Sequence, residues 1–146
     1  MQNLKDIHIG SLIKKRVTEC DINMSRICNF LNCDEELINE MYLSDSLNSH
    51  YLLKWSKLLE YDFFRLYSQH LILYSPQASI KSNQSKIEKT SLPQFRKNIY
   101  TKEIVDFVIE MIDTQKKTKI QIIKEYKIPK TTLYKWIAKY KKTDDN

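Results

Sequence analysis

Lys130, Thr131, Thr132, Tyr134 and Lys135 place five polar-tipped side chains within six consecutive positions of the segment IPKTTLYKWIAKY, residues 128–140. A lysine ammonium carries a full charge and three donors, and a threonine or tyrosine hydroxyl both donates and accepts. None of these is a nucleophile without a base beside it, and His8, His50 and His70 are scattered singly. Such a set is suited to binding: ammonium groups neutralise phosphates, and lysines and hydroxyls reach base edges. Leu133, Trp136, Ile137 and Tyr140 recur at i, i+3, i+4 and i+7, the spacing of a buried helical face. Lys130, Thr131, Tyr134 and Lys135 then fall on the outer side. Lys119, Lys139 and Lys141 enlarge the basic surface, and Arg96 and Lys97 form a cationic stretch ahead of it. The expected partner is double-stranded DNA. Lys130, Thr131 and Lys135 would approach base edges and nearby phosphates, with Thr132 in the same set. Tyr134, Lys119, Lys139 and Lys141 would meet the phosphate backbone. Plain tethering is the preferred reading of the Arg96–Lys97 stretch, with contact along a phosphate backbone or in a minor groove the alternative.

Helices must position these groups. Thr101 to about Gln115 puts Ile104, Phe107, Val108, Met111 and Ile112 on one stripe, with Asp106, Glu110 and Asp113 outward. Thr118 and Gln121 have the spacing of a capping box and mark the next start. Pro129 disfavours a helical conformation at Ile128, so that helix must stop, and proline suits the first turn of the helix that follows. Residues 95–146 thus read as a three-helix DNA-binding unit.

Before it, residues 76–94 are rich in Ser, Gln, Asn and Lys, lack apolar periodicity and contain Pro76 and Pro93, the pattern of a polar linker. Residues 1–75 read as a five-helix domain. Ile7 to Glu19 carries Ile9, Leu12, Ile13, Arg16 and Val17 near one face. Asn23 or Ser25 can cap a second helix ending near Leu31, Asn32 suits a left-handed turn, and Asp34 can cap a third helix to about Met41. A fourth helix spans His50–Leu59 and a fifth runs from near Asp62 to about Tyr74. The expectation is an all-α fold of two small helical domains joined by a polar linker.

Composition supports this reading. The chain has one Gly and three Pro among its 146 residues, too few for the tight turns of a β-sandwich, and Gly10 alone cannot form a glycine-rich phosphate loop. Net charge is +6, and it is unevenly divided. Residues 1–75 hold 8 basic and 10 acidic side chains, −2, and residues 76–146 hold 16 and 8, +8. One half suits a polyanion and the other some different partner. Cys20, Cys28 and Cys33 are odd in number and follow no secretory signal, so reduced thiols in a cytoplasmic, nucleoid-associated protein are expected. Cys28 and Cys33 with a histidine would miss the usual zinc spacing, and buried structural thiols are the preferred reading. No apolar run approaches the ~20 residues of a membrane span. No metal, cofactor or catalytic group is expected.

On these residues the chain resembles known families. Phe95 to Tyr140 looks like the homeodomain-like helix-turn-helix of insertion-sequence transposase first-frame proteins. The resemblance is carried by Arg96, Lys97, Tyr100-Thr101-Lys102-Glu103, Ile122-Ile123-Lys124-Glu125-Tyr126 and the stretch Ile128 to Trp136. The same segment resembles the DNA-binding end of serine invertases. That likeness implies base contacts at Thr131 and Lys135 and a phosphate contact at Tyr134. Lys127 stands where the family prefers Gly, and Pro129 where it prefers a capping Ser, which implies a less regular turn. Six residues follow Tyr140, so no two-metal transposase core or recombinase catalytic domain is expected after it.

Gly10 to Arg16, Ile27 to Cys33 and Leu52 to Leu59 more loosely resemble the lambda-repressor-like helix-turn-helix family. Its groove-reading helix would here carry Asp34, Glu35, Glu36 and Glu40 with no Lys or Arg, so phosphates would repel it. That domain is expected to serve protein contacts. Tyr61, Phe63, Phe64, Tyr67, Leu71 and Tyr74 form an aromatic stripe that core packing explains in part and a homodimer seam could use in part. The competing expectation for the whole chain is a helical protein–protein adaptor whose basic tail binds no DNA specifically.

Overall fold

In the computed structural model, which describes residues 4–76, 91–93 and 99–141, the chain is all-α, with eight helices and no strand among the described residues. Residue contacts divide it into two compact units, Met1–Ser68 and Gln69–Asn146. The dividing line falls inside the fifth helix. Residues 77–90 of the expected linker and residues 94–98 of the expected arm, with Arg96 and Lys97 among them, lie outside the described residues.

The first unit is built from α1 (Ile9–Cys20), α2 (Met24–Leu31), α3 (Glu35–Leu43), α4 (Ser49–Leu58) and the start of α5 (Phe64–Tyr74). Side chains satisfy the otherwise orphaned amides at the helix starts. Asn23 accepts from the Arg26 amide at 2.9 Å and Asp34 from the Leu37 amide at 2.9 Å, both where caps were expected. Two caps were not foreseen. His8 Nδ1 accepts from the Ser11 amide at 3.2 Å, which starts α1 at Ile9 and not Ile7, and Asn48 accepts from the Tyr51 amide at 3.0 Å. Asn32 ends α2 with φ 55°, the expected left-handed turn.

With one glycine in the chain, every described positive-φ residue is something else: Asp21, Asn32, Glu60, Gln115 and Lys127. Gly10 is needed for another reason. A Cβ there would lie 2.2 Å from the Met41 carbonyl oxygen and 2.6 Å from those of Tyr42 and Ser44. The start of α1 therefore packs backbone to backbone on the end of α3, and the Gly10 amide donates to the Ser44 carbonyl at 3.0 Å. The core around this contact holds Ile9, Ile13, Ile27, Leu31, Ile38, Trp55, Leu59 and Phe63. Trp55 is fully buried and donates from Nε1 to Met41 Sδ at 3.3 Å. Lys54 Nζ bonds the Leu31 carbonyl at 3.0 Å, closing the end of α2. Cys28 and Cys33 are half-buried against the core as free thiols, and burial pushes the Cys33 thiol up.

The aromatic stripe divides. Phe63 is buried, Tyr67 and Tyr74 are half-buried, and Tyr61, Phe64 and Leu71 are exposed. The buried side of α5 is instead Leu66, Gln69 and Leu73, one helical face displaced from the stripe.

The second unit holds the end of α5 with α6 (Lys102–Asp113), α7 (Lys119–Tyr126) and α8 (Lys130–Lys141). Gln69 Nε2 donates to Thr101 Oγ1 at 2.7 Å, so the residue at the N-cap position of α6, whose side chain makes no capping bond, is held by a side chain 32 positions earlier. Ile104, Val108, Ile109 and Met111 of α6 are buried, whereas Phe107 and Ile112, expected on the same stripe, are half-buried. Asp106 corrects a second expectation. It is half-buried and accepts a hydrogen bond from the Tyr140 hydroxyl, tying α6 to α8, while Glu110 and Asp113 do face outward. Among the described residues no helix is long and apolar enough to cross a membrane, and no group of three or more His, Cys, Asp or Glu could hold a metal ion.

Candidate nucleic-acid interface

Two local devices set the geometry between α7 and α8. The capping box forms as both reciprocal bonds: the Gln121 amide donates to Thr118 Oγ1 at 3.2 Å, and the Thr118 amide to Gln121 Oε1 at 2.8 Å. At the other end Lys127 takes φ 52° and terminates α7 in the left-handed conformation that glycine would adopt without strain. Pro129 then leads directly into α8, its carbonyl accepting from the Leu133 amide at 3.0 Å.

Burial holds the two helices in register. Ile122, Ile128 and Leu133 are 0–1% exposed, and Tyr126 is buried with its hydroxyl toward Met111 Sδ. Trp136, Ile137 and Tyr140 lie on the inner face as expected but only half-buried. Trp136 meets the Tyr100 ring edge-on at 5.0 Å between centroids.

The opposite face of α8 is open. Lys130, Thr131, Tyr134, Lys135 and Lys139 are exposed, and Thr132 is half-buried beside them. Thr131, Lys135 and Lys139 repeat at i, i+4 and i+8 along one line, with Lys130 and Tyr134 alongside. Lys119 is half-buried, and its Nζ stands 5.4 Å from the Tyr134 ring centre, while Lys130 Nζ stands 5.7 Å from it. Two cations from two helices thus flank one phenol, a grouping that the spacing within α8 could not reveal. Lys141 ends α8 with its side chain outside the described residues.

The α8 segment Lys130–Lys141 contains no acidic residue, and Glu125 of α7 is paired with Lys117. That bond to Glu125 raises the Lys117 ammonium above its usual value. The remaining described carboxylates of the unit sit on α6. Sequence reasoning missed Ile120, which is 78% exposed beside Lys119. Its phase was legible, since it stands two residues before buried Ile122 and so points elsewhere.

Comparison of the chain with protein-family models, with curated proteins and with solved structures finds no match.

Proposed function

We propose that the α7–α8 pair binds duplex DNA, with α8 entering the major groove. The single observation that supports this most is the outer face of α8: Lys130, Thr131, Tyr134, Lys135 and Lys139 exposed together, with Leu133 fully buried opposite. Lys130, Thr131 and Lys135 approach base edges, with Thr132 at their margin. Tyr134 and Lys119, Lys139 and Lys141 serve the phosphates, and the Arg96–Lys97 arm extends the contact. Roughly six neutralised phosphates give a log–log salt slope near −5. One module of this size buries limited area, so specificity draws on a second copy or on the arm. The cellular role is that of a binding protein and not an enzyme: a transcriptional regulator or a transposase-derived, nucleoid-associated DNA-binding protein.

The first unit has a different task in this reading. Glu35, Glu36 and Glu40 are exposed on α3, which carries no cation, so its surface favours protein contacts over phosphate. If the whole chain is an adaptor, that surface is the active one.

Fluorescence anisotropy on random duplex DNA across a salt series tests the proposal. The full chain binds with a steep salt slope. Lys130→Ala/Thr131→Ala/Lys135→Ala weakens binding on the order of a hundredfold and lowers the slope by roughly 2, with folding unchanged. Full retention of binding by a folded triple variant, or none by the native chain at low salt, removes the DNA reading.

A further inference from the structure

The turn that ends α2 brings two thiols together. Asn32 stands there at φ 55°, and the Cys28 carbonyl accepts from the Asn32 amide and, at 3.2 Å, from the Cys33 amide. The residue just past the left-handed position thus bonds back to a carbonyl five positions earlier, the ending in which the side chains of those two residues frequently pack on each other. An apolar pair is usual at these positions. Here both are cysteine.

Standard bond lengths and the 3.2 Å hydrogen bond cap the α-carbon separation of Cys28 and Cys33 at about 7 Å, and the bends at nitrogen and oxygen bring it lower. A disulfide spans about 4.4–6.8 Å between α-carbons. Both thiols are free, packed against the core of the first unit and only half-buried, so each keeps some contact with solvent. Burial pushes the Cys33 thiol up, and the charge of Cys28 adds to it, as expected of neighbouring sulfurs; Asp34 acts in the same sense and Lys54 against it. Among the described residues no third His, Cys, Asp or Glu joins them in a group that could hold a metal ion. Cys20 lies apart from this turn, at the end of α1.

We propose that Cys28 and Cys33 form a reversible thiol–disulfide site whose oxidant is a low-molecular-weight disulfide. One cysteine thiolate attacks a sulfur of that disulfide, and a small thiolate leaves. The other cysteine then attacks the protein sulfur of the mixed disulfide and releases the second small thiolate. The two cysteine protons pass to the two departing thiolates, so the dithiol is oxidised and the small disulfide is reduced to two thiols. The new bond closes the turn between α2 and α3 and fixes how the acidic α3 leaves it. In a reducing compartment such a bond is transient. The site is independent of the DNA surface, so it stands or falls separately from that reading.

The test incubates the full chain with glutathione disulfide, folded and in urea, then blocks the remaining thiols and maps the linked peptides by mass. The folded chain loses two of its three thiols, and Cys28–Cys33 exceeds Cys20–Cys28 by at least about tenfold. In urea the two loops differ little in length, and the preference falls to within a few-fold. Cys33→Ser leaves a persistent glutathione adduct at Cys28. Equal selectivity with and without urea overturns the proposal. So do persistent glutathione adducts on Cys28 or Cys33 of the native chain, linkage between chains, or three thiols left unreacted. The native chain in the two conditions decides even if Cys33→Ser disturbs the fold.

Discussion

Gly10→Ala probes the close approach on which the first unit rests. The added methyl would stand 2.2 Å from the Met41 carbonyl oxygen and 2.6 Å from two more, where 3.4 Å begins ordinary contact. All three are backbone atoms, so no side chain can turn aside. α1 and α3 must part by about 1 Å, at an overpacking cost of roughly 1–3 kcal/mol. The Gly10 and Ile9 amides, bonded to Ser44 and Asp45 carbonyls at 3.0 and 3.4 Å, weaken as well, at roughly 0.5–1.5 kcal/mol each. Alanine returns about 1 kcal/mol through helix propensity. The net loss is about 3 kcal/mol, a large part of what a unit of this size holds. Urea unfolding of the full chain in a Trp136→Phe background isolates the signal of Trp55, which is fully buried in the first unit. With m near 1 kcal/mol/M the midpoint falls by about 3 M. The DNA binding proposed for the other unit is expected to persist. A midpoint shift below about 0.5 M would refute the backbone-to-backbone packing.

Further outcomes follow from the second unit. Lys127→Gly relieves a left-handed residue at φ 52° and stabilises the unit by up to about 1 kcal/mol, read as slower amide exchange in α7 and α8. Leu133→Ala, at a fully buried position, costs about 3–4 kcal/mol. Trp136→Ala, at a half-buried one, costs nearer 2 kcal/mol, and the reverse order in thermal melts would invert the assigned faces. The hydrogen bond to Asp106 raises the Tyr140 phenol above its usual value, and the bond to Glu125 does the same for Lys117. A raised folded-state value adds stability that is complete below the unfolded value and is lost as pH rises through the folded one. Both unfolded values lie near 10, so this contribution disappears only above about pH 10. Tyr140→Phe flattens the alkaline fall in melting temperature; an unchanged slope would dismiss the Tyr140 contribution.

Much of the candidate site was legible because it is local. The stripe from Leu133 through Tyr140 fixes which side of α8 turns inward, and the lysines follow from the same 3.6-residue period. The Tyr134 grouping was not legible, since Lys119 arrives from α7 and only the α7–α8 packing brings it near. The extent of burial was not legible either. Period alone gives Leu133 and Trp136 the same direction, while depth depends on what lies opposite.

The sequence by itself determined the all-α class, the capping box at Thr118 and Gln121, the caps at Asn23 and Asp34, and the left-handed turn at Asn32. Each needs only neighbours within a few residues, and hydrogen-bond chemistry over that range is set by residue type. Tertiary structure alone decided what depends on distant segments. It made Gly10 a packing requirement, gave Asp106 to Tyr140 at a separation of 34 residues, and turned Leu66, Gln69 and Leu73 inward in place of the aromatic stripe. It also held Glu60, Gln115 and Lys127 at positive φ. Local propensity opposes that conformation by about 1–2 kcal/mol per residue, and only packing on either side of the turn can impose it.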